Sequence, residues 1–227
     1  MKNPAIDTPF GTGNSLAIAI KGSGIPSELR HLAFLYSLGD GTKKMLHLGW
    51  HKQLEWHAWA SDYYWLEFDN IDPIVQESIV ENLEAIAFVN FGESCEIQYS
   101  GVYEDDLRYF DDDMKYASVK DGEGLTCATF VLAVMKRLEF QLVEASSWPV
   151  GRLADKKWLD FILDKLKSID RIAHLISQRS HRELLRRYRP EEVVVTPALY
   201  EGSPLPFKKV DTPSKNVLKI LPKLKRA

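Results

Sequence analysis

Cys127 is the residue best placed to do chemistry. It follows Gly122-Glu-Gly124 and stands in the first turn of a helix predicted from about Thr126 to Leu138. A helix N-terminus favours a thiolate through its free N–H groups and macrodipole, and the same N–H groups can donate to an oxyanion. A nucleophilic thiol also needs an imidazole that takes its proton and returns it to the leaving group. His31, at the start of a strand candidate, is such a base. The plainer reading makes Cys127 a small buried residue, because free cysteine is commonly buried.

These two residues need elements that bring them together. Leu16–Ile20 is a short strand candidate, broken by Gly22-Ser-Gly24 and Pro26. His31–Tyr36 reads as a strand, Leu38-Gly-Asp-Gly41 as a tight turn, and Lys44–Leu48 as the return strand. Gln53–His57 is a possible third strand of this meander. Asp72-Pro73 opens a helix whose apolar positions are Val75, Ile79, Leu83 and Ile86. Cys95–Tyr99 reads as a further strand. A helix is expected from about Asp155 past Ile176. Ser180 and Glu183 have capping-box spacing, and Val193–Val195 is a possible strand.

The order of these pieces carries a resemblance. His31-Leu-Ala-Phe-Leu-Tyr36, Leu38-Gly-Asp-Gly41, Met45-Leu-His47 and, much later, Thr126-Cys-Ala-Thr-Phe-Val131 resemble the permuted branch of the NlpC-type papain-fold superfamily. That branch includes the lecithin retinol acyltransferase-like and YiiX-like proteins. The resemblance covers residues 15 to 140. It implies Cys127 as nucleophile, His31 as general base and His47 as the polar residue that orients His31. The hairpin, widened by Ser37 and Lys43-Lys44, is longer than is usual for that family. His51 and Gln53 therefore stand beside His47 as candidates for the third position.

The fold expected is α+β. A small antiparallel sheet carries the histidines, and the Cys127 helix packs against it, papain-like in permuted order. Residues 1–150 would form the catalytic domain, 151–190 a helical extension and 191–227 an extended basic tail. The chemistry expected is acyl transfer through a thioester, on a peptide, amide or acyl-ester substrate, with no cofactor and no metal. Two other classes compete. One is a non-catalytic binding module on the same scaffold. The other is a zinc hydrolase, since His47, His51 and His57 would share a face of one unbroken strand.

Other features have plainer explanations. Trp50, Trp56, Trp59, Tyr63, Tyr64 and Trp65 suit sheet packing, or an apolar wall beside a cleft. Glu104, Asp105, Asp106 and Asp111–Asp113 form an acidic loop without calcium-loop spacing; its functional reading is a lid over the cleft. Cys95 reads as structural. His174, His181, Arg179, Arg182, Arg186, Arg187 and Arg189 form a basic helical patch.

The chain has 227 residues, enough for a self-sufficient core. A net charge of −3 argues against a general nucleic-acid binder. The segment from Lys208 is locally basic, a solvated tail or a docking site for a protein partner. Two cysteines imply a reducing compartment, and no apolar run approaches a membrane span. The expected location is cytoplasmic.

Overall fold

The predicted hairpin forms, and it lies at the centre of a larger sheet. The computed structural model describes residues 10, 15–22, 30–60, 62–118 and 120–221. Strands β1 (Leu16–Gly22), β2 (Arg30–Ser37), β3 (Lys43–Trp50), β4 (Gln53–Ala58) and β5 (Tyr64–Glu67) make one antiparallel sheet in the order β4-β3-β2-β1-β5. The turn closes as its residues require. Gly41 has φ +83°, the left-handed region that suits glycine, and the Asp40 carboxylate accepts from the Thr42 amide. The expected lead-in over residues 1–14 and the break at Ser23–Pro26 lie, apart from Phe10, outside the described residues.

Alternation divides the sheet between two apolar layers. Leu32, Phe34 and Tyr36 of β2 join the main core; Ala33 and Leu35 join a smaller cluster with Ala17, Ala19, Met45, Tyr63 and Trp65. The main face is covered by α1 (Pro73–Asn90) and α2 (Cys127–Arg137). Asp72 caps α1 as expected, and Ile79, Leu83 and Ile86 are buried, whereas Val75 faces solvent. Gln76, fully buried, locks this helix to the sheet: its amide oxygen accepts from Leu16 N–H, and its nitrogen donates to the Phe68 and Ile71 carbonyls.

Helix α2 is buried along Cys127–Met135, so packing rather than amphipathicity sustains it. Thr126 and Thr129 form a reciprocal cap at its start. Residues 95–99 do not join the sheet; they run extended to one parallel bridge, Tyr99 with Leu125.

The C-terminal third departs from the sequence reading. The single helix expected from Asp155 to Ile176 is two, α3 (Leu153–Leu166) and α4 (Ile172–Ser180). Asp170 accepts from the Arg171 amide at 2.6 Å, a local bond that competes with helical pairing and ends the run. The Ser180–Glu183 box does not form. Glu183 pairs with Lys156 and Arg182, and residues 182–184 make one 3₁₀ turn. Val193–Val195 is not a strand, because Pro190 starts the short helix α5 (Pro190–Val193) and α6 (Thr196–Leu199) follows directly.

Residues 191–221 are not an extended tail. Helix α7 (Phe207–Ile220) buries Val210, Ser214 and Val217 against the body and leaves Lys208, Lys209, Lys215 and Lys219 outside. Those spacings of four and three place the buried residues on one helical stripe. Lys223, Lys225 and Arg226 lie outside the described residues. One apolar cluster reaches from Leu16 to Leu221, so the segments after residue 150 share the core of the sheet. Among the described residues, no helix is long and apolar enough to cross a membrane.

Candidate active site

A split in the sheet builds the site. β1 pairs with β2 out to Gly22 and Arg30, and β3 pairs with β4 out to Trp50 and Gln53. Between them, β2 and β3 pair from Ser37 and Lys43 to Phe34 and Leu46 and then part. His31 lies on the end of β2 that has parted from β3, and His47 on the end of β3 that has parted from β2; each keeps its other neighbour, His31 pairing with Lys21 and His47 with Glu55.

The thiol of Cys127 stands at this split. Its Sγ is 4.0 Å from the Arg30 carbonyl oxygen, and the Leu32 amide faces it. The helix that carries it is fixed by the preceding loop. Leu125 N–H donates to the Gln98 carbonyl at 2.9 Å, and Ser100 N–H donates to the Leu125 carbonyl at 3.2 Å. Gly124 allows that approach, since a Cβ there would lie 2.4 Å from the Gln98 oxygen.

Cys127, His31 and His47 line one cavity of about 710 Å³ with His57, Tyr63 and Tyr99. Phe161 and Ile162 of α3, with Ile169 beyond it, add apolar lining. Lys21, Arg30, Glu55 and Lys165 supply charge to the lining. The histidines project from the face opposite α2, alternating with the Leu32 and Leu46 side chains of the main core. The split lets groups from both layers meet in one space.

The three imidazoles form a chain. His31 Nε2 lies 2.7 Å from His47 Nδ1 and His47 Nε2 lies 3.1 Å from His57 Nε2. His57 Nδ1 lies 2.7 Å from the Ala58 carbonyl oxygen. Burial, then the Lys21 cation, lowers the pKa of His31 from 6.5 to about 4. Burial, then His31 and His57, lowers that of His47 to about 2. Both rings are therefore neutral at pH 7.

The thiol differs from the sequence expectation. Burial pushes the Cys127 pKa up, and this outweighs the Leu32 amide, Arg187 and the amides of Ala128 and Cys127, all of which favour the anion. At rest the sulfur is a thiol, not a helix-stabilised thiolate. Among the described residues, no hydrogen bond joins this thiol to an imidazole; its contact is the Arg30 carbonyl. Catalytic hydrogen bonds are often long before substrate binds and tighten in the reacting complex.

His47, rather than His51 or Gln53, faces His31. A register shift between Leu48 and Trp50 turns His51 away from the strand face. His51 instead lies 3.3 Å from Asp170 and accepts from Tyr99 N–H. The zinc set His47, His51 and His57 therefore does not converge, and among the described residues no group of three or more His, Cys, Asp or Glu is arranged to hold a metal. Gln53 lines the cavity, but the hydrogen-bond partner of His31 Nε2 is His47.

Of the aromatic stretch, Trp50 and Tyr63 line the cavity, while Trp59 and Trp65 pack in the smaller core. The acidic loop is not a lid. Asp111 caps its own turn, and Asp105 and Asp112 pair with Lys136 and Arg137 at the far end of α2. The basic patch is largely paired: Arg182 with Asp160, and Arg187 and Arg189 with the wholly buried Asp155. Cys95 is buried in the main core.

Sequence reasoning gave His57 no role beside His31, and it missed Tyr99 and the α3 wall. A signal for His57 was present: two residues after Glu55, on the strand following His47, it shares the face that alternation assigns to His47. Comparison with family models, curated proteins and solved structures finds no match for this chain.

Proposed function

We propose that this protein is a cysteine hydrolase or acyltransferase of the permuted papain type, acting on a peptide, amide or acyl ester. The observation that carries this reading is the convergence of Cys127, His31 and His47 on one cavity, with the two imidazoles 2.7 Å apart.

Neutral His31 takes the thiol proton as Sγ attacks the substrate carbonyl carbon. The oxyanion forms near the N–H groups of Cys127 and Ala128, at the start of α2. Collapse breaks the bond to the leaving group, which receives the proton from His31, and a thioester remains. Water or a second nucleophile then loses its proton to His31, attacks the thioester and releases the thiol. His47 supports the imidazolium through its Nδ1. A neutral thiol–imidazole pair makes proton transfer part of the attack, unlike a preformed ion pair. The apolar side chains of Phe161, Ile162 and Ile169 in the lining suit an acyl or apolar peptide side chain.

Substrate profiling with acyl esters, amides and peptides tests this. Turnover by the wild type that vanishes in Cys127→Ala, with an unchanged circular dichroism spectrum, is the expected result. Equal turnover by the two proteins contradicts it.

One observation favours a non-catalytic module on the same scaffold: the raised thiol pKa, with the Arg30 carbonyl as its contact. Alkylation by iodoacetamide separates the readings when done with and without His31. In the catalytic reading its rate rises with pH through a midpoint above about 8.5, the free-thiol value, and His31→Gln changes the rate. In the binding-module reading His31→Gln leaves the rate unchanged.

A further inference from the structure

The hydrogen-bond chain has a direction, and a backbone carbonyl sets it. A carbonyl oxygen can only accept, so the 2.7 Å contact between His57 Nδ1 and the Ala58 oxygen requires the proton on Nδ1. In a neutral ring Nε2 is then an acceptor. His47 Nε2, 3.1 Å away, must donate to it. His47 Nδ1 is consequently the acceptor, and His31 Nε2, 2.7 Å away, must donate to that. This leaves the lone pair of His31 on Nδ1.

We propose that His57 is a positioning residue that fixes the tautomers of His47 and His31, holding the base lone pair of His31 on Nδ1. The role rests on the reading of His31 as general base. The direction of the chain does not, since for neutral rings it follows from the five ring nitrogens and the carbonyl. His47 alone cannot define it: an isolated pair of neutral imidazoles has two equivalent directions, and one of them puts a proton on Nδ1 of His31. The Ala58 carbonyl removes the second direction.

The position of His57 suits this work. It sits on β4, on the same face as His47 and two register positions along, and it is exposed. Its replacement therefore disturbs no core packing. The charged groups that share the cavity with the three rings are Lys21 of β1, Arg30 of β2, Glu55 of β4 and Lys165 of α3; Asp62 is paired with Lys21. Among the described residues, no carboxylate hydrogen-bonds to these rings, so the backbone acceptor is what orders them.

The test is long-range ¹H–¹⁵N correlation spectroscopy of the full chain with labelled histidine at pH 7.5. It reads the protonated nitrogen of each neutral ring without any substrate. The expected pattern is Nε2–H for His31 and His47 and Nδ1–H for His57. His57→Leu should leave His31 as a mixture of tautomers. His57→Gln, which keeps an acceptor oxygen for His47 Nε2–H, should restore the wild-type signature. On a substrate the enzyme turns over, His57→Leu should lower kcat about tenfold, the low end for a residue that orients a functional ring, and the Gln variant should recover most of it. A wild-type His31 protonated on Nδ1, or a His31 signature unchanged in His57→Leu, overturns the proposal. Absence of turnover in the wild type with the expected tautomers would instead count against the enzyme reading, and leave the chain standing.

Discussion

Two histidine clusters lie in this molecule, and they do different work. His31, His47 and His57 meet on the split sheet and line a cavity. His51 and His174 meet across Asp170, near the start of α4. In the second cluster the ring nitrogens of His174 are both engaged by backbone. Nδ1 accepts from Gly122 N–H at 3.0 Å, and Nε2 donates to the Tyr99 carbonyl at 3.2 Å. His174 is wholly buried and ties the glycine turn before Cys127 to α4. The first cluster ends at His31 Nδ1, a nitrogen that hydrogen-bonds to none of the described residues and belongs to a ring lining the cavity. Residue type and count do not separate a site from a strut. The partners of each nitrogen do.

The largest expected effect is on Cys127 itself. Cys127→Ala should lower turnover by at least about a thousandfold, as loss of a nucleophile does, while denaturant unfolding shows a folded protein. His31→Gln should cost about 10²- to 10⁴-fold in kcat; an effect below threefold would remove the base from the account. The other cluster should answer in stability. His174→Ala leaves the Gly122 N–H and the Tyr99 carbonyl buried without this partner, and opens a void. We expect a loss of about 2–4 kcal/mol by urea titration. His57→Leu, on the exposed strand, should change stability by less than about 0.5 kcal/mol. Equal losses for the two would erase the distinction between strut and site.

The first cluster should also answer to pH. His31 has a folded pKa of about 4 against 6.5 unfolded, so between these values the unfolded chain binds a proton that the folded chain does not. Stability therefore falls as pH drops through that window, and His47, lowered to about 2, extends the fall. Urea titrations between pH 7 and 4 should show a shallower decline in His31→Gln than in the wild type. Equal slopes would contradict the burial of a neutral ring.

Much of the sheet was legible. His31–Tyr36 and Lys44–Leu48 alternate around an Asp-Gly turn, and the cap Asp72-Pro73 marks α1 without ambiguity. Cys127 at a helix start was legible from its glycines and from Thr126. Burial of the thiol was not, since it depends on which strands part above it. Choosing His47 over His51 required the register shift at Leu48–Trp50, and nothing local in Gly49 announces one. The break at Ser168–Asp170 was hidden because the apolar spacing of α3 continues into α4 through Ile169 and Ile172. Helix α7 was hidden by its lysines, which suggested a solvated tail, although Val210, Ser214 and Val217 keep helical spacing. The anchoring of the acidic loop was hidden because its cationic partners, Lys136 and Arg137, lie on another element.

The chemistry assigned to Cys127 is tested most directly by intact-mass analysis after mixing with an activated acyl ester, mapped by proteolysis. The account predicts a mass gain of one acyl group on Cys127, absent in Cys127→Ala and formed at least about a hundredfold more slowly in His31→Gln. Acylation at another residue, or at Cys127 with the same rate in His31→Gln, would contradict it.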